Sequence, residues 1–343
     1  MKIVHELNQL DFGGVEKIIR NIVKYDKKNE HCVAVYKDGK YRSELEKVGA
    51  KIILLSDEDI NVSADLIHIH SGGAKSPMAY DLKGEFPVIE TIHSPIRSAN
   101  GDDYVTQRVG VTKTVASLNK GAITILNGID FESMVPDKSP GQIIKELKIN
   151  PVLPVVGRLG RIGKDKGLEQ WILTCYYAQQ QGFNFTPIII GDEARDCEGY
   201  RGKLKLMIAS LPVENVIWIP NQLNIADYLQ IMEVFLYPSP TEGFGLSLIE
   251  AAYMDAVVVT YNNDVNKEIL AGYAKLVDKN IPALVEGLKT ALDHNYQSAL
   301  SGIAREWVET EFDAERMSLE YQCLYGKVLD ECSNRHLDKC HQS

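Results

Sequence analysis

The stretch "VFLYPSPTEGFGLSLIE", Val234–Glu250, decides how the rest of the chain is read. An apolar run ends at two prolines, a loop with two glycines follows, and a helix-like apolar pattern begins at "GLSLIE". Strand, loop and helix in that order make the repeating unit of an α/β protein with parallel strands. Glu242 falls in the loop and Glu250 about one turn into the helix. Gly243 and Gly245 remove side chains where the helix start exposes unpaired amides. One loop therefore offers amides to an anion and carboxylates to hydroxyl groups, which a capped, solvated helix start would not require.

The same alternation runs outward in both directions. Toward the N-terminus, "KIVHEL", "CVAVY", "KIILL", "DLIHIH", "PVIETIH", "RVGVT" and "AITIL" read as strands, with "GVEKIIRNIVKY" and "YRSELEKVGA" among the helices between them. Around 135–150, "VPDKSPGQIIKELKINPVLP" brackets a short helix with prolines and polar residues, as a connection between domains does. A second series follows: "LPVVGRL", "FTPIIIG", "NVIWIP", "VFLYP" and "AVVVTY" as strands, "GLEQWILTCYYAQQ" and "GLSLIEAAYM" as helices. The expectation is two doubly wound parallel sheets, a Rossmann-like domain over 1–140 and another over 141–314. "ALSGIAREWVETEF" reads as helix, and a final helix over about 315–332 is expected to pack back on the first domain. Ligands of such sheets bind beyond the carboxyl ends of the strands, so two domains imply a shared cleft.

Composition excludes several classes. The 343 residues suffice for two cores, and 45% hydrophobic with 24% charged residues is ordinary for a globular chain. No apolar segment approaches the ~18 residues of a membrane helix, and "MKIVHELNQL" lacks a secretion signal, so cytoplasmic residence is expected. A formal net charge of −10 and a pI near 5.4 oppose general affinity for nucleic acid. Lys24, Lys27 and Lys28 end the first predicted helix, where they complement its dipole or offer a peripheral contact to an anionic membrane surface. The six cysteines are scattered without a C-x-x-C and read as reduced thiols.

Three groupings invite a metal reading, and in each the plainer reading is preferred: Asp57 and Asp59 in "LSDEDIN" as an exposed loop, Cys332, His336 and Cys340 as a polar tail, and His68 with His70 as neighbours on one strand face. No metal is therefore expected. His93 differs by position, at a strand's carboxyl end with a proline-marked loop beyond, and is either a site residue or a buried structural histidine. In "VVGRLGRIGKDKG", Val155–Gly167, glycines and positive charges precede a helix, as a diphosphate requires. Gly13 and Gly14 give the first strand a comparable turn, without the full dinucleotide fingerprint.

Taken in order, these residues resemble the retaining, nucleotide-sugar-dependent glycosyltransferases of the GT-B fold, family 4, over nearly the whole chain. The Gly-Gly-x-Glu turn matches Gly13, Gly14, Val15 and Glu16, the histidine after a strand matches His93, and "NGID" matches Asn127–Asp130. The Gly-Arg segment ending in Lys-Gly matches 157–167, and the E-x7-E signature, the most specific of these, matches Glu242 and Glu250.

The resemblance implies a sugar transfer from a nucleoside-diphosphate sugar to a glycan, lipid-linked or small-molecule acceptor, with no cofactor or metal. It implies catalytic roles for His93, Glu242, Arg158 and Lys166. Donor contacts would come from Gly13, Gly14, Arg161, Gly243, Phe244, Gly245, Leu246 and Glu250, with Glu250 holding the ribose. Arg158 fits the strand end and Arg161 the usual distance to Lys166, so both are carried. Where the family often has Gly-Gly, Asn262, Asn263 and Asp264 precede Glu268, and the stretch between His93 and Asn127 is short for the family. The alternatives are a nucleotide-sugar epimerase or hydrolase on the same fold, or a non-catalytic carbohydrate-binding protein.

Overall fold

Apolar runs flanked by amphipathic stretches become parallel strands, because a strand covered on both faces needs no polar alternation. The computed structural model describes residues 1–55, 62–70, 74–270, 272–300 and 302–340, with 334–340 as backbone. It divides into one unit of 1–129 with 312–343 and a second of 130–311.

In the first unit the strands are β1 (Lys2–Gln9), β2 (Glu30–Lys37), β3 (Lys51–Leu54), β4 (Leu66–Ile69), β5 (Val88–Ile92), β6 (Gln107–Gly110) and β7 (Ile123–Thr124). They lie in the order β3-β2-β1-β4-β5-β6-β7, every pairing parallel, with His5 of β1 directly opposite His68 of β4. One face packs Val4, Ala34, Ile67, Ile69 and Val88, and another cluster gathers Leu7, Ile19, Val23, Val33 and Val35. The Gly14–Tyr25 helix supplies Ile18, Ile19, Ile22 and Val23, spaced so that one stripe is buried.

The second unit contains β8 (Val155–Leu159), β9 (Thr186–Ile190), β10 (Ile217–Ile219), β11 (Val234–Tyr237), β12 (Val257–Tyr261) and β13 (Lys275–Val277), ordered β10-β9-β8-β11-β12-β13. Its pairings are also parallel. Trp171, Phe185, Ile189, Leu236 and Val259 lie in its core. Truncating a fully buried aromatic such as Trp171 to alanine costs about 3–5 kcal/mol. In both sheets the strand order reverses beside the first strand, between β1 and β4 and between β8 and β11. At such a switch point the loops diverge and leave room for a ligand.

Four sequence expectations are corrected. Residues 135–150 are not a linker: the Pro140–Leu147 helix, started by a capping box of Ser139 and Gln142, belongs to the second unit, where Lys138 N donates to Asp227 Oδ1 at 2.8 Å. The units accordingly divide at Ile129 and Glu311 rather than at 140 and 314. The pattern "ALSGIAREWVETEF" is two helices, His294–Leu300 and Ile303–Glu311, because Gly302 takes φ +75°. "KLV" at 275–277 adds a strand that was not anticipated.

The last helix, Ala314–Cys340, returns to the first unit, where Ser318 Oγ donates to the Ile22 carbonyl at 3.0 Å. The "NGID" motif makes that return possible. Ile129 N donates to Phe312 O at 2.8 Å, Ala314 N donates to Ile129 O at 3.1 Å, and a side chain at Gly128 would collide with the Asp313 backbone. Among the described residues, no helix is long and apolar enough to cross a membrane.

Candidate active site

In the second unit, the loops after β8 and β11 meet beside the switch point. Gly167 takes φ +63°, and a Cβ there would strike the Pro238 carbonyl oxygen, so glycine lets the 160–167 loop lie on the 238–242 loop. Lys166 and Glu242 are thereby joined: Lys166 Nζ donates to Glu242 Oε1 at 2.9 Å, and Tyr237 Oη donates to the same oxygen at 3.1 Å. Burial opposes the Lys166 charge, yet Tyr237 and Glu242 raise its pKa above the ordinary lysine range. Burial, reinforced by Glu242, pushes the Tyr237 phenol up to about 12. At neutral pH Lys166 is therefore a lysinium and Tyr237 a neutral phenol.

Arg158, on β8, is 0% exposed, and its guanidinium carbon lies 5.5 Å from the Tyr237 ring centroid. Its Nε, Nη1 and Nη2 have no hydrogen-bond partner among the described residues. Desolvation lowers its pKa, against the raising influence of Tyr237 and Glu242. A buried charge with unfilled donors costs several kcal/mol, of which a cation–π contact returns about 1–2. Arg161 lies elsewhere in its chemistry: it is 45% exposed and faces Asp165 at 3.2 Å and Asp196 at 3.7 Å.

Beyond Glu242, Gly245 takes φ +88° and leads into the Leu246–Tyr253 helix, which no side chain caps. Phe244 is buried at 3%, and Glu250, within the helix, at 4%. The loop thus brings Glu242, Gly243, Phe244, Gly245 and Leu246 to the same strand ends as Arg158 and Lys166. Tyr237 was missed in the sequence, although it closes β11 directly ahead of the marked loop.

In the first unit, Gly13 precedes the helix that begins at Gly14, and the Glu16 carboxylate folds back over this turn to accept from Asp11 N at 3.2 Å. His93 follows β5, and its Nε2 is 3.1 Å from His70 Nδ1. Burial lowers its pKa to about 4, so the imidazole is neutral at pH 7. The loop beyond is braced by Glu90, whose Oε1 accepts from Ser98 Oγ at 2.6 Å and Asn100 Nδ2 at 2.7 Å while Oε2 faces Arg108 at 3.2 Å.

Of the metal readings, Asp57 and Asp59 and the side chains of His336 and Cys340 lie outside the described residues. His5, His68 and His70 each place a ligand atom within 4.8 Å of the others. Their nitrogens are engaged already: His68 with Tyr325 Oη at 2.8 Å and Thr91 Oγ1 at 2.7 Å, and His5 with His70 at 3.1 Å and His31 at 2.9 Å.

Two Rossmann-like parallel-sheet units of this kind constitute the GT-B glycosyltransferase fold. The fold is shared with HepE from Anabaena, solved in complex with UDP and glucose, at a TM-score of 0.81 and 16% identity over 95% of this chain and 99% of that one. Residues 141–307, within the second unit, match the family described as glycosyl transferases group 1. The capsular polysaccharide biosynthesis glycosyltransferase CapM of Staphylococcus aureus is 28% identical over 246 residues, which span 66% of this chain and 60% of CapM. The lipopolysaccharide core biosynthesis mannosyltransferase LpsB of Rhizobium meliloti is 23% identical over 262 residues, 72% of this chain and 74% of LpsB.

Proposed function

We propose that the chain is a retaining glycosyltransferase that moves a sugar from a nucleoside-diphosphate sugar to an acceptor hydroxyl without a metal ion. The observation that carries this reading is Arg158, a buried guanidinium with unfilled donors close to the Lys166–Glu242 pair. The unpartnered Arg158 donors beside the Lys166 charge, ahead of an uncapped helix start, suit a diphosphate. The UDP and glucose bound to HepE, and the glycan-building names of CapM and LpsB, support the same class of donor and acceptor.

In the proposed step, the bond from the anomeric carbon to the diphosphate oxygen breaks and its electron pair stays on that oxygen. The acceptor oxygen bonds to the same face of the anomeric carbon, and its proton passes to the departing diphosphate. Arg158 and Lys166 stabilise the charge that develops on the leaving group, the neutralisation a divalent ion supplies elsewhere. Glu242 holds Lys166 in place and meets sugar hydroxyls, Glu250 takes the ribose, and His93 orients hydroxyl groups of the sugar or acceptor. Localisation in the cytoplasm, where nucleotide sugars are made, belongs to the same proposal.

Release of UDP from UDP-sugars, with and without candidate acceptors, tests the assignment. Glu242→Gln and Lys166→Ala should both lose transfer while remaining folded. Near-normal turnover in both variants on a donor that the unmodified chain uses would remove the site assignment.

A further inference from the structure

Four histidines from four strands or strand ends stand in one row across the first sheet. His93 Nε2 is 3.1 Å from His70 Nδ1, His70 Nε2 is 3.1 Å from His5 Nδ1, and His5 Nε2 is 2.9 Å from His31 Nδ1. His31 Nε2 then lies 3.1 Å from Oδ2 of Asp26, the residue that caps the C-terminus of the Gly14–Tyr25 helix. This last contact has ion-pair distance without hydrogen-bond alignment. Every link joins an Nε2 to an Nδ1 in the same sense, from the carboxyl end of β5 to the beginning of β2. His5, His31, His70 and Asp26 are all buried.

The sense of the row has a chemical consequence. A neutral imidazole carries one proton and each N···N contact can hold only one, so one end of the row determines all of it. The Asp26 carboxylate, 3.1 Å from His31 Nε2, electrostatically favours the proton on that nitrogen, and in the one-proton form of the ring this leaves His31 Nδ1 to accept from His5 Nε2. The same logic assigns the proton to Nε2 of His70 and of His93. His93 Nδ1 is then a bare acceptor, with no partner among the described residues.

The opposite arrangement would point a lone pair of His31 at the carboxylate. Burial raises the Asp26 pKa, but contacts with His31 and Asn29 outweigh it and hold the carboxyl below its ordinary value. The groups packed along the row do not compete for its protons. His68 binds Tyr325 and Thr91, and Tyr321 binds Thr91 at 3.0 Å. Burial lowers the pKa values of His5, His68 and His70 and raises those of both tyrosines, so all of these are neutral.

We propose that Asp26, acting through His31, His5 and His70, positions the proton of His93 on Nε2, so that His93 presents an obligate hydrogen-bond acceptor to a donor hydroxyl of the sugar or acceptor. The four residues behind His93 are positioning residues. Their link to catalysis rests on the glycosyltransferase reading, whereas the proton assignment does not.

Long-range ¹H–¹⁵N correlation spectra of the full chain with ¹⁵N-labelled histidine distinguish the two neutral tautomers. The expected result is Nε2–H for His93, His70, His5 and His31. In Asp26→Asn the row should lose its sense, and His93 should gain the Nδ1–H form. His31→Gln, which interrupts the row while leaving the helix cap intact, should do the same. Nδ1–H on His93 in the unmodified chain, an unchanged tautomer in both variants, or stoichiometric zinc found by metal analysis with metal-shifted His5, His68 and His70 would overturn the assignment.

Turnover of UDP-glucose tests the link to the reaction. Asp26→Asn should lower kcat on the order of ten-fold with KM for the donor unchanged, less than the loss seen when an orienting carboxylate touches its histidine directly. Reversed tautomers with unchanged kcat would sever the row from catalysis. Failure of all UDP-sugars to turn over would instead remove the glycosyltransferase reading, leaving the spectra to judge the row.

Discussion

The two units bury polar chemistry in opposite ways. In the second, Arg158 and Lys166 are cations held beneath the strand ends, one with its donors unfilled and the other leaning on Glu242 and Tyr237. In the first, imidazoles bond to one another in a row, in which burial keeps His5, His70 and His93 neutral. A buried group that lacks a partner is a liability for the fold and therefore points to a ligand. A buried group that is fully partnered points inward, to what it holds in place. On the proposed reading, the unpartnered Arg158 guanidinium marks the ligand-facing side and the linked imidazoles mark its support.

The largest expected effect comes from removing the charge that has a partner. Lys166→Ala should lower kcat/KM about 10²–10³-fold, roughly 3–4 kcal/mol of transition-state stabilisation, in UDP-release kinetics. Activity retained within a few-fold would mean that the second unit's cations do not act on the leaving group.

A smaller effect tests the glycine that joins the two loops. Gly167→Ala combines a left-handed backbone with a collision at Pro238 and should cost roughly 2–4 kcal/mol in urea unfolding. Lys166 should be misplaced with it, so activity should fall further than stability alone explains.

The neutral row makes the first unit sensitive to acid. Burial holds His5, His68 and His70 below the ordinary 6.5, and His93 at about 4, whereas the unfolded chain returns them to the ordinary range. Between those values the unfolded state binds more protons, so the stabilisation is complete above about 6.5 and is lost as pH falls toward 4. From about pH 7.5 to about pH 5, His93 alone should remove on the order of 2 kcal/mol, measurable by urea unfolding. A flat profile over that interval would show that the row is not neutral in the folded state.

Much of this architecture is legible in the sequence, and the remainder has identifiable causes. Apolar runs such as "CVAVY" and "AVVVTY" announce parallel strands because both faces are buried. "KLV" does not, since three residues at a sheet edge carry too little pattern. The helical period passes through Gly302 without a mark, because what breaks the helix is backbone geometry rather than polarity. Glu242, Glu250 and Lys166 stand out through loop chemistry.

Arg158 and Arg161 could not be separated by spacing. Only the strand's position in the sheet shows that the first is buried with free donors and the second is paired at the surface. The histidine row was invisible for a related reason. Positions 5, 31, 70 and 93 are distant in sequence and meet only through the register of four neighbouring strands.

The most direct test of the central claim, that Arg158 is a buried cation awaiting an anionic ligand, is calorimetric titration of UDP into the unmodified chain and Arg158→Met, with the thermal midpoint of each measured without ligand. The account predicts at least about ten-fold weaker UDP binding in the variant. Its midpoint should be equal or higher, because an apolar side chain of similar length replaces an unpaired buried charge. Unchanged UDP affinity, or a variant that binds UDP normally and melts well below the unmodified chain, would contradict it and make Arg158 a structural residue.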